Sequence, residues 1–253
     1  MITGLITVRT TSSRLKQKCL LPFGDENSVL EHVVSRCYKN GINPIVCTST
    51  DKEDDIIEDI CTKNSINFFR GHPVNKLLRW HDCSEAFKLE SFHTVDADDP
   101  FFNWEEMHNS MHMLGSGYDF IAPSKYSSSG GASVGYSIKS EILLKALALV
   151  SKDTDTEMMW YLLENINDIK YTSLPNSELY DKLNLQIRLT LDYEEDYWLL
   201  CSLVRILGNE ASYKDVIQFL MKNPDFYKIN SFRNDEWKNS QKSKGESLQI
   251  NQK

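Results

Sequence analysis

Apolar and polar positions along the first hundred residues alternate between strand-like and helix-like patterns. Residues 2–8 form a β-branched run that reads as a strand. Val29, Leu30, Val33, Val34 and Cys37 then recur at helical spacing. Ser28 stands before them as an N-cap, with Glu31 three residues on, and Asn40-Gly41 follows as a stop. Residues 42–48 read as a second strand and 51–63 as a second helix opened by acidic residues. Residues 66–69 are a short strand, 74–89 a helix and 92–95 a fourth strand. Such alternation with short connections predicts βαβ units, hence a mostly parallel sheet with helices on both faces.

The later pattern is less regular. Residues 119–122 and 132–138 read as strands around a flexible loop at 127–131. Helices are predicted over 140–150, 155–165, 194–207 and 213–222, and a strand over 187–191 leading to Asp192. From Asn234 onward the chain is so polar that it supports at most a frayed tail. The expected organisation is one domain over 1–232 and a polar tail over 233–253.

Composition narrows the class of protein. A chain of 253 residues, 41% hydrophobic and 25% charged, suits one large globular domain. Its net charge of −8 argues against a nucleic-acid partner, which needs a basic footprint. No apolar run is long enough to cross a membrane. The first residues lack the basic region and apolar core of a signal peptide, so a cytoplasmic location is expected. The six cysteines form no C-x-x-C pair and read as buried reduced thiols.

Two polar segments carry candidate chemistry, and each directly follows a predicted strand. Ligands of parallel sheets bind beyond the carboxyl ends of the strands, so both segments belong to one edge. Arg9-Thr-Thr-Ser-Ser-Arg-Leu-Lys-Gln-Lys18 packs two arginines, two lysines and four hydroxyls into ten residues. Such a loop can nest a phosphate or can simply be a solvated basic loop. It is neither a Walker A loop nor a dinucleotide fingerprint. Asp96-Ala-Asp-Asp-Pro100 gathers three carboxylates that repel one another without a cation. Hard oxygen ligands at a strand end suit Mg²⁺, while a turn capping the next helix accounts for one of the three. In the run 191–196, Glu194, Glu195 and Asp196 suit the first turn of a helix, and Asp192 is the carboxylate able to project into a site. Trp104 and Trp160 are either pocket walls or core. Arg79 either reaches the site or forms a surface ion pair. His108 and His112 have i, i+4 spacing but no third metal ligand nearby.

Residues 8–18 resemble the A-R-x-x-S-S/T-R-L-P-x-K opening of the sugar-acid cytidylyltransferases. That family includes the CMP-Kdo and CMP-sialate synthetases, and the closest likeness is to its spore-coat polysaccharide SpsF-like branch. The likeness continues in order. Cys47-Thr-Ser-Thr-Asp51 resembles their second-strand A-T segment, and Phe69-Arg-Gly71 with Leu77-Leu-Arg79 resembles F-R-G and V-L-x-R. Ala97-Asp-Asp-Pro100 resembles A-D-x-P, and Arg188 to Asp196 resembles R-x-T-x-D-x-x-E-D. Asn223-Pro224 and Asn230 resemble the closing segment. There are departures: Lys16 replaces a proline, Gly131 to Gly135 lacks an acidic residue, and Glu157-Met-Met-Trp160 stands where the SpsF-like branch has E-H-V-T.

The resemblance implies a Rossmann-like α/β sandwich of the nucleotide-diphospho-sugar transferase type. It implies transfer of CMP from CTP to a small anionic acceptor such as an ulosonic acid, with release of pyrophosphate, for surface polysaccharide. The nucleotide would be bound by Val8, Arg9, Thr10, Ser12, Ser13, Arg14, Lys18, Thr48 and Asp96. Arg14, Lys18 and Asp98 would be catalytic, and Asp98 with Asp192 would hold Mg²⁺. A homodimer is implied as well, with residues 119–185 as the dimerisation or acceptor insert. Two other functions compete. Asp96-Ala97-Asp98 is also a D-x-D of the kind by which metal-dependent glycosyltransferases hold a nucleotide sugar, and a non-catalytic relative would need neither Asp98 nor Lys18.

Overall fold

The computed structural model describes residues 1–12, 14–125, 127, 134–176 and 187–247. The strands are β1 (Ile2–Thr7), β2 (Ile42–Ser49), β3 (Phe68–Gly71), β4 (Ser91–Asp96), β5 (Phe120–Ala122), β6 (Ser137–Lys139) and β7 (Tyr171–Ser173). They form one sheet in the order β3-β2-β1-β4-β6-β5-β7. β6 runs antiparallel to both of its neighbours, and every other pairing is parallel. The mostly parallel α/β sandwich expected from the alternation is present.

Adjacent residues of the central strands serve opposite faces, as the period of two requires. Ile6, Val46 and Val95 pack against α1 (Val29–Lys39), α2 (Asp55–Lys63) and α4 (Trp104–Gly115). Leu5, Ile45 and Phe92 pack on the other face with α3 (Lys76–Phe87), α5 (Glu141–Leu147) and α6 (Met159–Leu163). A third cluster joins Phe23 and Phe101 to α7 (Glu194–Leu207) and α8 (Tyr213–Lys222). It fastens the carboxyl-terminal helices beneath the loop that follows β1. The short α9 (Pro224–Tyr227) leads on to α10 (Asn234–Ser247).

Local signals placed most elements well. Ser28 accepts from the Glu31 amide at 3.1 Å, the N-cap expected for α1, and the Glu31 carboxylate returns to the Ser28 hydroxyl at 2.7 Å in place of its backbone amide. Gly135, at φ +86°, passes so close to β4 that an added Cβ would lie 1.9 Å from the Thr94 carbonyl oxygen.

Four expectations need correction. Residues 187–191 are not a strand; they run alongside the β4 loop, with Leu191 N–H donating to the Asp98 carbonyl at 2.8 Å. The helices over 140–150 and 155–165 contract to α5 and α6. The strand β7 went unpredicted, because three residues with Tyr171 half-exposed carry no periodic signal. The segment from Asn234 is the helix α10 and not a frayed tail. Its anchors are distant in sequence: Arg233 pairs with Glu195 at 2.9 Å, and the Arg188 guanidinium lies 5.4 Å from the Trp237 ring centroid.

Candidate active site

Parallel pairing puts the carboxyl ends of β1 and β4 side by side, with Thr7 opposite Asp96 in register. The basic loop and the aspartate cluster therefore start from neighbouring points. They open into a cleft of about 950 Å³, a volume suited to a nucleotide-sized ligand.

Lys18 lies at the centre of the site. Gln17 takes up a left-handed conformation and turns the chain into a short 3₁₀ turn, Lys18–Leu20, with Cys19 buried beneath it. The Lys18 ammonium then reaches Asp98 Oδ2 at 2.5 Å and Asp192 Oδ1 at 2.8 Å. Burial works against its charge, but Asp98 and Asp192 outweigh that and raise its pKa above the ordinary lysine value. Arg14 Nη2 donates to the same Asp192 oxygen at 2.7 Å. Its Nη1 is buried with no hydrogen-bond partner among the described residues, so a donor is left over for a ligand oxygen.

Asp192 is held from behind. Arg188, fully buried, donates to Asp192 Oδ2 at 3.1 Å and to both oxygens of Asp196 at 2.8 and 3.0 Å. Asp196 also accepts from the amides of Asp192 and Tyr193 and from Asn230 Nδ2, all within 2.9 Å. Burial alone would raise the Asp192 carboxyl, but Lys18, Arg14 and Arg188 together hold it at about 2. Asp196 is thus more than a helix-dipole residue; it fixes the turn that aims Asp192. The recurring arginine, aspartate and asparagine of the closing motifs form one network.

The remaining aspartates face the opposite balance. Burial, then the nearby Asp98, push Asp96 up even though Lys76 Nζ stands 3.6 Å away. Burial and the charges of Asp98 and Asp96 push Asp99 well above the usual carboxylate range. The cluster is therefore short of positive charge. Among the described residues, no three His, Cys, Asp or Glu side chains gather closely enough to hold a metal unaided. Asp98 and Asp192 nonetheless fit a Mg²⁺ ion, which takes one or two carboxylates and completes its shell with phosphate and water. Lys18 Nζ now stands between those two carboxylates.

The other expected residues divide. Val8, Arg9, Ser12, Arg14 and Lys18 line the cleft from the β1 loop, and Asp96, Asp98 and Asp192 line it from the far side. Ser13 lies outside the described residues. Thr10 and Thr48 are not on the wall. Thr10 is buried, and its amide and hydroxyl bond Asp54 at 2.7 and 2.8 Å, so it tethers the loop to the start of α2. Thr48 is fully buried at the end of β2. Arg9 reaches across to the Pro73 carbonyl at 2.8 Å and to Glu157 at 3.3 Å. Arg79 is neither in the site nor on the surface; it is buried and bonds the His72 carbonyl at 2.7 Å, supporting the turn that receives Arg9. Trp104 packs under Arg36, whereas Trp160 does line the cleft.

The sequence reasoning missed Lys76, Tyr136, Glu164, Trp237 and Gln241, which also line the cleft. Lys76 had one legible signal, a lysine in the first turn of a helix, where a cation is unfavourable without a partner.

A mixed sheet with this strand order, flanked by helices, is the fold of the nucleotide-diphospho-sugar transferase type. More narrowly, the chain belongs to the cytidylyltransferase family, whose model matches residues 3–188, and its nucleotide substrate is CTP. It is 29% identical over 235 residues to an uncharacterized protein of Methanocaldococcus jannaschii, covering 91% of this chain and 94% of the relative. It is 26% identical over 236 residues to the spore coat polysaccharide biosynthesis protein SpsF of Bacillus subtilis, covering 87% and 94%. A cytidylyltransferase structure from Leptospira borgpetersenii superposes with a TM-score of 0.76 at 23% identity, over 89% of this chain and 96% of that one. The structure of CMP:2-keto-3-deoxy-manno-octonic acid synthetase complexed with CTP superposes at 0.59 with 12% identity, over 81% and 99%. These two likenesses speak for the fold.

Proposed function

We propose that this cytidylyltransferase moves CMP from CTP to a hydroxyl of a small anionic acceptor of the ulosonic-acid class, in a cytoplasmic route to surface polysaccharide. The observation that carries the reading is the meeting of Lys18 and Arg14 with Asp98 and Asp192 in one cleft. Phosphoryl-type transfer depends on positioning and charge neutralisation more than on covalent catalysis. Arg14 and Lys18 bind triphosphate oxygens, and the loop from Val8 to Ser12 encloses the base and ribose. The acceptor hydroxyl attacks the α-phosphorus in line. A new oxygen–phosphorus bond forms, the hydroxyl proton passes to solvent, the bond to the β-phosphate breaks, and pyrophosphate leaves. Asp98 and Asp192 would hold Mg²⁺, which supplies positive charge against the triphosphate when bound. The polysaccharide role is supported by the likeness to the Bacillus spore coat polysaccharide biosynthesis protein. Among the described residues no helix is long and apolar enough to cross a membrane. A homodimer built through residues 119–185 completes the reading, and sedimentation of the purified chain tests it.

The glycosyltransferase reading is disfavoured by the split of the D-x-D. Asp96 faces Lys76 while Asp98 faces Lys18, so the two carboxylates do not share one cation. The deciding experiment offers each of the four nucleoside triphosphates with Mg²⁺ and a panel of sugar acids, and follows pyrophosphate. Release with CTP and one acid is expected. Breakdown of a nucleotide sugar in its place would overturn the proposal. Silence throughout, with no thermal shift from CTP, would favour a non-catalytic role.

A further inference from the structure

We propose that Lys18 is the resident cation of the Asp98–Asp192 pair, so that a divalent ion enters this site together with the triphosphate and not before it. The inference rests on the CTP reading above. Its ground is geometric: one ammonium nitrogen occupies the space between the two carboxylates, 2.5 Å from Asp98 and 2.8 Å from Asp192. A divalent ion liganded by the same pair would need that space.

The charge balance points the same way. Asp192 is met by Lys18, by Arg14 at 2.7 Å and by Arg188 at 3.1 Å. Three carboxylates, Asp98, Asp192 and Asp196, face those three cations. Each of these carboxylates already has a cation, and a bare divalent ion would have to displace the Lys18 ammonium from the pair. A triphosphate changes this. It brings several negative charges and supplies oxygens onto which the Lys18 ammonium can move. Arg14 Nη1, buried without a partner among the described residues, is a second donor for those oxygens. Lys18 then leaves the carboxylates as the ion arrives.

Two features suit Lys18 to this exchange. Its backbone is held in the 3₁₀ turn by buried Cys19, so the main chain keeps its place. Its side chain is a flexible stem with a point charge, able to swing between acceptors, where a bidentate arginine fork would stay fixed. Arg188 illustrates the second type, locked on Asp196 by two bonds.

The test uses Mn²⁺ as the probe and electron paramagnetic resonance to count the free ion. Wild-type protein with Mn²⁺ alone is expected to bind little. Adding CTP should raise bound Mn²⁺ above what the same CTP holds without protein. Lys18→Met removes the resident charge and should bind Mn²⁺ alone at least about tenfold more tightly than wild type, since an adjacent cation lowers a carboxylate's affinity even for a proton by about one to three powers of ten. The gain should vanish in Lys18→Met/Asp98→Asn. Lys18→Gln, which keeps a donor without the charge, serves the same comparison where the methionine variant fails to fold. If wild type binds Mn²⁺ alone as tightly as the variants while still binding CTP by calorimetry, the exchange is wrong and the nucleotide reading stands. If wild type binds no CTP with or without Mn²⁺, the nucleotide reading falls and the exchange falls with it.

Discussion

Asp98 and Asp192 differ in how they are supported, and that difference predicts different phenotypes. Asp192 is locked by Arg188 and the turn around Asp196, whereas Asp98 is paired with Lys18 and is more exposed. Asp98→Asn is therefore expected to preserve the fold and remove turnover. Changing an outer partner of a metal ligand costs about 10–100-fold, so under the proposed metal-holding role the loss at Asp98 itself should exceed that in pyrophosphate release. An unfolded Asp98→Asn protein would mark the carboxylate as a structural turn. Asp196→Ala should act on stability first. It leaves Arg188 and two amides short of an acceptor in a buried place, and breaking such a pair costs about 3–5 kcal/mol. Urea unfolding reads this directly; a change below 1 kcal/mol, on the order of an exposed pair, would refute the positioning role.

Secondary-structure elements contribute to the site according to where they end. β1 and β4 stop in register, and their two loops supply the cations and the carboxylates. The segment 187–192 acts as a third wall through one backbone bond to the β4 loop. Helix α10 contributes differently, since Trp237 and Gln241 close the cleft although the helix is polar throughout. Its footing is Arg233, which pairs with Glu195 and stacks 4.8 Å from the Tyr193 ring centroid. Arg233→Ala should loosen α10 selectively, with faster amide exchange over 234–247 and unchanged protection in β1 and β4. The global cost should stay within about 1 kcal/mol, because the pair is partly exposed. Unchanged exchange over α10 would show that other contacts hold it.

Across the molecule, two buried histidines tie stability to pH. His93 donates from Nε2 to the Val134 carbonyl, and its Nδ1 pairs with the Ser137 hydroxyl at 2.8 Å. Burial lowers its pKa from the usual 6.5 to about 4. His32, buried near Arg36 and bonded to the Pro100 carbonyl, is likewise lowered to about 4. Their folded pKa values lie below the unfolded value, so the unfolded chain takes up protons first as pH falls. Stability present above about pH 6.5 is therefore lost towards pH 4, at about 1.4 kcal/mol per pH unit for each histidine. The stability of the wild type relative to His93→Gln, read from urea midpoints at pH 7, 6 and 5, should fall along this slope, which removes the opposing contribution of buried carboxyls such as Glu106. A slope unchanged by that substitution would assign the pH dependence to other groups.

The strands and helices from β1 to α4 were legible because their periodicity, caps and breakers are local. The cytidylyltransferase likeness was legible because its motifs stand in order along the chain. Legible too was the pairing of a basic loop with an acidic strand end, since a parallel sheet delivers both to one edge. Long-range contact had to settle the rest. Thr10 and Thr48 look like nucleotide ligands on paper but turn inward, because Asp54 claims one and the sheet covers the other. Asp196 looks like a helix-start charge until Arg188 and Asn230 close around it. The helix after Arg233 exists because Glu195 and Arg188 lie beneath it, and neither is near it in sequence. A side chain's type and neighbours follow from the chain order. Its partner across the fold follows from burial, which makes unpaired charge costly and so selects the arrangement in which Lys18, Asp98 and Asp192 meet.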